Sequence, residues 1–259
     1  MSDLSGVWLV VPCYNEANRL DVAAFRSFLA ERTGTHLLFV DDGSRDQTAS
    51  VLASACQGYE DAASILRCVK NAGKAEAVRL GILHVLREAT PVFVGFWDAD
   101  LATPLDTLPR FAAIFSCNSD IEMVFGARVQ LLGRRIERRA VRHYAGRVFA
   151  SVVSVLLNMK IYDTQCGAKL FRVTPETKQI FADRFLSKWV FDVEILARYQ
   201  ALLKRTPEQL QAIIYEYPLE QWTDVAGSKV HARDFLIAFL DVFRIHRKYL
   251  FGLRNSAEL

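Results

Sequence analysis

The chain has 259 residues, 51% of them hydrophobic, so we expect one sizeable core and not two fully separate domains. Its 32 basic and 29 acidic side chains give a net charge of +3, a balance that gives no reason to expect a nucleic-acid partner. The five cysteines are odd in number and lack metal-type spacing, which argues against a zinc site and predicts reduced thiols.

The amino terminus and the apolar stretches of the chain bear on its cellular location. It lacks the basic region of a secretory signal, and no stretch of the chain reaches the roughly 18 uninterrupted apolar residues of a membrane-spanning helix. We therefore expect a cytoplasmic protein without a transmembrane segment.

Short apolar runs alternate with helical patterns through the first half of the chain, which is typical of βαβ units and a parallel sheet. Asp46 is expected to cap the first turn of its helix. After residue 127 the pattern changes to a basic segment, a long amphipathic helix, loops and further helices, which we expect to form the site of a second substrate. The predicted strands are 7–11, 37–40, 64–69, 92–97 and 122–126, and helical spacing is found at 46–55 and 74–87.

Polar groups follow four of these strands, and the carboxyl ends of parallel strands meet at one edge of a sheet. Asp98 and Asp100 follow the fourth strand, and their spacing places both carboxylates on the same side of an extended segment. Carboxylates are hard oxygen ligands, so the pair predicts a Mg²⁺ or Mn²⁺ site that could hold a diphosphate. The glycine-rich dinucleotide pattern and the Walker pattern are both absent, so a nucleotide needs other partners.

Four motifs at these strand ends, in this order and spacing, resemble the family 2 glycosyltransferases of the GT-A fold. Three later segments are similar to the polyprenyl-phosphate sugar transferases, and closest to their dolichyl-phosphate β-glucosyltransferase branch. The four motifs are VVPCYNE at 10–16, VDDGSRDQT at 40–48, NAGK at 71–74 and DAD at 98–100. The later segments are DTQCGAKLF at 163–171, WVFDVE at 189–194 and WTDVAGSK at 222–229.

This resemblance implies an α/β fold: one GT-A domain over residues 1–259, with a Rossmann-like, mostly parallel sheet flanked by helices. Residues 1–127 would form the half that binds the nucleotide-sugar, and 128–230 the half that binds the acceptor. Residues 231–259 would form a C-terminal amphipathic helix.

The resemblance also implies roles for single residues in the nucleotide-sugar half. Asp42 would accept a hydrogen bond from the base, with uracil favoured. Lys74 would lie near the nucleotide, and Arg128 near the phosphates or the sugar. The further residues implied to line the nucleotide pocket are Pro12, Tyr14 and Glu16.

The same resemblance makes Asp100 the principal metal ligand, with Asp98 contacting the metal or the sugar-nucleotide. In related mannosyl transferases a glutamine two residues after the second Asp can also bind metal, whereas this chain has Ala102 there. The third protein ligand therefore stays open, with Thr103 or water as candidates, and the interpretation moves away from the mannosyl branch.

Seven arginines lie between residues 128 and 147, and they are interpreted in two ways. Some belong to a solvated helix face. Others suit anions: Arg139 or Arg142, joined by Lys169 and Lys229, would clamp an acceptor phosphate, and further arginines would meet anionic lipid headgroups.

Two apolar stretches have basic flanks, at 148–157 and at 235–251. The first is too short to span a membrane and suits a buried or interfacial helix. The second either packs on its own domain or lies on a membrane surface. Together they predict peripheral contact at the cytoplasmic membrane face.

The acceptor class depends on the availability of a general base. A lipid phosphate is already anionic near neutral pH, whereas a hydroxyl acceptor needs a carboxylate within hydrogen-bond reach. Asp163, Asp192 and Glu194 are the available carboxylates. For each of them, a structural role as a helix cap or a partner for Lys169 stands equally beside a direct catalytic role. Asp192 is our catalytic candidate beside Asp98 and Asp100.

The sequence thus predicts a metal-dependent, inverting glycosyltransferase that moves a hexose, with glucose from UDP-glucose favoured, to a polyprenyl phosphate. Three alternatives stay open: a GDP-mannose-dependent polyprenyl-phosphate mannosyltransferase, a soluble family 2 transferase with a hydroxyl acceptor, and a non-catalytic module that binds sugar-nucleotides. No histidine or cysteine is assigned a catalytic or metal-binding role.

Overall fold

The computed structural model describes residues 4–31, 33–137, 140–224 and 232–251, with the backbone alone for 140–145 and 232–236. Its strands are β1 (Val7–Cys13), β2 (His36–Asp41), β3 (Ala63–Arg67), β4 (Phe93–Trp97), β5 (Met123–Ala127), β6 (Arg135–Glu137), β7 (Ala168–Arg172), β8 (Ile214–Pro218) and β9 (Gln221–Thr223). Its helices are α1 (Val22–Ala30), α2 (Thr48–Cys56), α3 (Lys74–Glu88), α4 (Leu108–Cys117), α5 (Ala140–Leu157), α6 (Pro175–Ala182), α7 (Phe191–Leu203), α8 (Pro207–Ile213) and α9 (Ala232–Tyr249), and Leu105–Thr107 form one 3₁₀ turn.

The main sheet has seven strands in the order β3-β2-β1-β4-β7-β5-β8. Strand β7 runs antiparallel to its neighbours β4 and β5, and the other neighbouring pairs are parallel. Because strands from both halves of the chain share this sheet, the chain forms a single domain. The expected mostly parallel α/β sheet is confirmed.

The five predicted strands are present, each with ends within two residues of the prediction. Strands β7 and β8 were not predicted, because the chain after residue 127 was expected to supply loops and helices. The expected cap at Asp46 is displaced: Gln47 occupies the N-cap of α2, while Asp46 accepts from the backbone N–H of Thr48 at 3.0 Å.

Alternate residues of the buried strands pack into two apolar layers, one on each side of the sheet. Val10 belongs to the layer that includes α3 and α7, whereas its neighbours Leu9 and Val11 belong to the layer that includes α1 and α4. This alternation is what a pleated strand produces when helices cover both faces.

The order of the strands also determines where a ligand can bind. From β1 the chain proceeds outward to β2 and β3, and then returns to place β4 on the other side of β1. The connections after β1 and β4 therefore diverge, which leaves a crevice at their carboxyl ends. The turn that contains Asp98 and Asp100 follows β4 directly at this crevice.

Candidate active site

A cavity of about 700 Å³ opens at the carboxyl ends of β1 and β4. Its walls come from both halves of the chain, so the arrangement brings together side chains that are far apart in the sequence. The predicted site residues that line it are Pro12, Tyr14, Glu16, Asp42, Lys74, Asp98, Asp100, Arg128 and Asp192.

The other predicted site residues are placed differently. Lys169 is 1% exposed and is not among the residues that line the cavity. Arg139 and Lys229 lie outside the described residues, and Arg142 is described only through its backbone in α5.

A tight turn after β4 presents the two carboxylates. The N–H of Ala102 donates to Asp100 Oδ1 at 3.1 Å, and Leu101 adopts a left-handed φ of 49°, which an L-residue rarely does. Lys74 Nζ lies 2.5 Å from Asp98 Oδ1, and an Arg19 guanidinium nitrogen lies 3.6 Å from Asp100 Oδ2. The turn therefore holds both acidic groups at the cavity wall, each beside a cation.

The two carboxylates of this turn are close enough to affect each other. Burial raises the pKa of Asp100, and the negative charge of Asp98 raises it further. A bound cation would relieve that repulsion, and oxygen ligands suit Mg²⁺ or Mn²⁺. The described residues contain no ready-made cluster of three or more His, Cys, Asp or Glu side chains around a metal position. Two carboxylates are therefore what this turn offers a metal.

Thr103 was one candidate for a third metal ligand. It is 4% exposed, its hydroxyl lies 3.8 Å from the sulfur of Cys166, and it does not line the cavity. Of the two candidates for this position, Thr103 is therefore directed away from the cavity in its contacts, and water remains the prediction.

Asp42 holds the loop that leads into α3. Its carboxylate accepts from Asn71 Nδ2 at 2.8 Å and from the N–H groups of Ala72 and Gly73 at 2.9 and 2.8 Å. Burial raises the pKa of Asp42, and the two backbone N–H groups oppose that shift. Because Lys74 follows this loop as the first residue of α3, Asp42 also helps to position the ammonium beside Asp98. Its expected contact with a nucleotide base stays a prediction.

Arg128, which follows β5, is held by two hydrogen bonds to one carboxylate. Its Nε and Nη2 donate to the two oxygens of Asp163 at 2.5 and 2.7 Å, and its guanidinium lies 5.2 Å from the ring centre of Trp222. Glu216 accepts from the N–H of Asp163 at 2.5 Å and so fixes the start of the same loop. A guanidinium group that is fixed in this way can present its remaining N–H groups to a phosphate.

The loop after Asp163 connects the two halves of the site at Gly167. The N–H of Asp98 donates to the carbonyl oxygen of Gly167 at 3.0 Å. A Cβ at residue 167 would lie 1.9 Å from Asp98 Oδ2, which is far inside van der Waals contact. The glycine is therefore needed for the close approach of this loop to Asp98.

The three carboxylates considered as general bases each have a cationic partner. Asp163 is paired with Arg128, and Asp192 Oδ1 lies 2.7 Å from the Nζ of Lys169. Glu194 is fully buried, lies 2.8 Å from a guanidinium nitrogen of Arg198 and does not line the cavity. Each of the three carboxylates is therefore already engaged in an ion pair within the protein.

Sequence reasoning missed several cations at the cavity, namely Arg19, Arg147 and Lys188. Arg147 belongs to the arginine-rich segment, and its guanidinium lies 3.8 Å from the ring centre of Tyr162. The arginine-rich segment was the one available signal for Arg147. Arg19 lies among neutral and acidic neighbours and gave no signal, whereas Lys188 directly precedes the segment WVFDVE at 189–194.

Comparison with known proteins decides the family. The family model described as glycosyl transferase family 2 matches residues 8–176. The chain belongs to glycosyl transferase family 2. Dolichyl-phosphate beta-glucosyltransferases of this family from Homo sapiens and Dictyostelium discoideum are 31% and 33% identical to it. They match over 94% and 95% of the chain and 76% and 75% of their own lengths.

Solved structures show the same fold. Glucosyl-3-phosphoglycerate synthase of Mycobacterium tuberculosis in complex with Mn²⁺ and UDP-glucose aligns with a TM-score of 0.63 at 16% identity, over 92% of this chain and 77% of that one. A mannosyltransferase of Pyrobaculum calidifontis in complex with GDP-mannose and Mn²⁺ aligns with a TM-score of 0.56 at 17% identity, over 93% and 62%. This family 2 chain therefore has the GT-A glycosyltransferase fold.

A helix that spans a membrane must be both long enough and apolar enough for the bilayer. Within the described part of the chain, no helix meets both requirements for spanning a membrane.

Proposed function

We propose that this family 2 enzyme transfers glucose from UDP-glucose to a polyprenyl phosphate, with inversion, at the cytoplasmic face of a membrane. The name of its relatives, dolichyl-phosphate beta-glucosyltransferase, supports the transfer of glucose to a polyprenyl phosphate. The observation that carries the acceptor class is the pairing of the three candidate bases with cations.

The two classes of acceptor require different groups in the cavity. A hydroxyl acceptor must lose a proton as it attacks, so it needs a carboxylate that can accept one. Asp163 and Asp192 line the cavity, but each is engaged with a cationic side chain. A phosphate acceptor is already anionic and needs positive charge in place of a base. Arg128, Arg147 and Lys188 line the cavity and supply that charge.

On the sugar-donor side, Asp98 and Asp100 would hold Mg²⁺ or Mn²⁺. When bound, the metal would neutralise the negative charge that develops on the leaving diphosphate. Lys74 and Arg19 add positive charge at the same wall of the cavity. The Mn²⁺ and UDP-glucose bound to the mycobacterial structural relative support this assignment.

The acceptor phosphate would be held by cations of the second half. Arg139, Arg142 and Lys229 remain our candidates for this contact, and Arg147 joins them because it lines the cavity. Lys169 leaves this group, because its amine is buried against Asp192.

Membrane contact would use the outer face of α9, which comprises Ile237, Leu240, Phe243, Arg244 and Arg247. Its three apolar side chains are 45%, 52% and 54% exposed, and its two arginines are exposed as well. The opposite face packs on the protein and is held to α5 by a His246 contact with the carbonyl of Leu156 at 2.9 Å. Apolar side chains beside basic ones suit a surface of anionic lipids.

The test is a panel of radiolabelled sugar donors, UDP-glucose and GDP-mannose among them, with and without polyprenyl phosphate in vesicles. We expect label in the lipid extract from UDP-glucose, dependent on the lipid phosphate and abolished by EDTA. Label from GDP-mannose alone would assign the mannosyl alternative. No label in lipid from any sugar donor would refute the proposal, and binding of UDP without any turnover would indicate a binding module.

A second experiment tests the alternative of a hydroxyl acceptor. Asp224 also lines the cavity, so Asp192→Asn and Asp224→Asn are compared. Transfer to a soluble acceptor that either variant abolishes would favour a hydroxyl substrate. Unchanged transfer to lipid phosphate by the Asp224→Asn variant would support a phosphate acceptor.

A further inference from the structure

One carboxylate on β8 supports the loop that leads from α5 to β7. Glu216 is half-buried and is not among the residues that line the cavity. Its carboxylate accepts from the N–H of Tyr162 at 2.9 Å and from the N–H of Asp163 at 2.5 Å. Burial raises the pKa of Glu216, and these two N–H groups oppose that shift. Two consecutive backbone N–H groups are therefore held by a single side chain.

Each of these two loop residues holds a cation that lines the cavity. The ring centre of Tyr162 lies 3.8 Å from the guanidinium of Arg147, and the carbonyl of Tyr162 accepts from Arg147 Nη1 at 3.3 Å. The carboxylate of Asp163 accepts from Nε and Nη2 of Arg128 at 2.5 and 2.7 Å, and from its backbone N–H at 3.1 Å. Arg147 comes from α5 and Arg128 from the segment after β5, so the two cations have this loop as a common support.

Removal of the Glu216 carboxylate has a specific consequence for this support. The N–H groups of Tyr162 and Asp163 would lose their acceptor, and a partly buried donor without a partner is costly. The loop would then shift to satisfy these groups with water. Because Arg147 and Arg128 are held by this loop, both cations would move together.

We propose that Glu216 is a positioning residue for the acceptor phosphate, because it holds Arg147 through Tyr162 and Arg128 through Asp163. Glu216 itself lies outside the cavity. Its role is to accept hydrogen bonds, so its oxygen matters and its negative charge does not. The inference rests on the phosphate acceptor of the proposed function and is independent of the metal-binding turn that follows β4.

The test compares Glu216→Met, which keeps the length of the side chain without an acceptor, with Glu216→Gln, which keeps one acceptor oxygen. Binding of a short-chain prenyl phosphate and of Mn²⁺–UDP is measured separately by titration calorimetry. KM and kcat are measured for the prenyl phosphate, and folding is checked by thermal unfolding.

Glu216→Met should weaken binding of the prenyl phosphate at least tenfold and raise its KM to match. Binding of Mn²⁺–UDP and kcat should each stay within threefold of the wild type, because the metal-binding turn is untouched. Glu216→Gln should stay within threefold of the wild type in every measurement, since Oε1 alone accepts from the N–H groups of Tyr162 at 3.0 Å and Asp163 at 2.5 Å.

Glu122→Met is the matched control. Glu122 directly precedes β5, at the end of the β5–β8 pair that lies away from the cavity, and it too is a half-buried carboxylate whose pKa is raised by burial. Its substitution should lower the free energy of unfolding, because the ion pair with Arg205 is lost, without weakening prenyl phosphate binding. A merely structural role of Glu216 would make the two Met variants behave alike.

Three results would overturn the inference: wild-type affinity for the prenyl phosphate in folded Glu216→Met, equal losses of affinity in the two Met variants, or a loss in Glu216→Gln as large as that in Glu216→Met. Glu216→Asp, whose carboxylate is one methylene group farther from the loop, should weaken prenyl phosphate binding at least fivefold. Wild-type affinity in this variant would overturn the inference even where Glu216→Met does not fold.

The two proposals can fail separately. Prenyl phosphate binding by the wild type, with unchanged affinity in the Glu216 variants, would refute this inference and leave the proposed acceptor standing. A wild-type protein that binds Mn²⁺–UDP and does not bind the prenyl phosphate would refute both.

Discussion

The two halves of the cavity hold their charged groups by different means. In the first half, two carboxylates are fixed by backbone N–H groups of nearby turns, since Asp42 accepts from Ala72 and Gly73 and Asp100 accepts from Ala102. Asp98 is the exception, because its partner is the side chain of Lys74. In the second half, Asp163 and Asp192 are fixed by cationic side chains, Arg128 and Lys169. The nucleotide-sugar half is thus built from strand-end turns, and the acceptor half from buried ion pairs.

This difference affects how much a substitution in each half should cost in stability. A carboxylate held by backbone N–H groups keeps its partners when a neighbouring side chain is replaced. A buried ion pair that loses one partner leaves an uncompensated charge, which costs roughly 3–5 kcal/mol. Substitutions in the first half should therefore report mainly on ligand binding, whereas substitutions in the second half should report on binding and stability together.

Among substitutions that distinguish the two halves of the cavity, we expect the largest loss of activity for Asp100→Asn. We expect the rate of transfer to fall by more than roughly 100-fold. A loss of that size is the most that is usual for residues that only support a metal ligand. The free energy of unfolding of the metal-free protein should not fall, because the substitution removes a carboxylate whose pKa burial and Asp98 both raise. Calorimetric binding of Mn²⁺–UDP and thermal unfolding are the measurements.

Exposed Asp106→Asn is the matched control for that substitution, since it lies six residues away in the 3₁₀ turn. Metal-dependent UDP binding that survives in Asp100→Asn would contradict the assignment of the ligand. It would also remove the reason for treating the first half as the metal-binding one.

An intermediate effect is expected where the halves meet, at Gly167→Ala. The new methyl group would occupy the space of the Asp98 carboxylate, which must turn away. Because a carboxylate can rotate, we expect only about 1–3 kcal/mol of destabilisation from the added group. Loss of Asp98 from its position should reduce transfer by roughly 10–100-fold. Initial rates and urea unfolding measure the two quantities.

The control is Gly58→Asn, at an exposed turn where a Cβ added to the glycine would have no atom within 4 Å and where asparagine tolerates the left-handed φ. Full activity in Gly167→Ala would mean that Asp98 need not be held at that carbonyl, so the two halves would be less tightly coupled than their geometry indicates.

The same contrast explains what could be predicted from sequence. Strands with apolar runs and polar turns are local patterns, so β1 to β5 and the residues that follow them were found. Lys169 lies in a strand that reads Ala-Lys-Leu-Phe-Arg, which is short and carries a charge at its second position. Its burial follows from the insertion of β7 between β4 and β5, and its pairing with Asp192 follows from the position of α7. Neither relation is a local property of the chain.

The smallest effect is expected for Phe243→Glu, which tests whether the acceptor half contacts a membrane. Phe243→Glu replaces a side chain that is 54% exposed on the outer face of α9, so thermal unfolding and Mn²⁺–UDP binding should stay as in the wild type. Removal of a large apolar contact with lipid should weaken binding to vesicles of anionic phospholipid by about tenfold, or about 1.5 kcal/mol. Transfer to a vesicle-borne acceptor should fall by less.

Leu202→Glu on α7 is the control, since it replaces a leucine that is 39% exposed on another helix. Added salt should weaken wild-type vesicle binding, because the arginines of the outer α9 face contribute through screened attraction to the lipid surface. Equal vesicle binding by Phe243→Glu and the wild type would show that α9 does not face the membrane. The acceptor would then have to reach Arg147 and Arg128 from another side of the cavity.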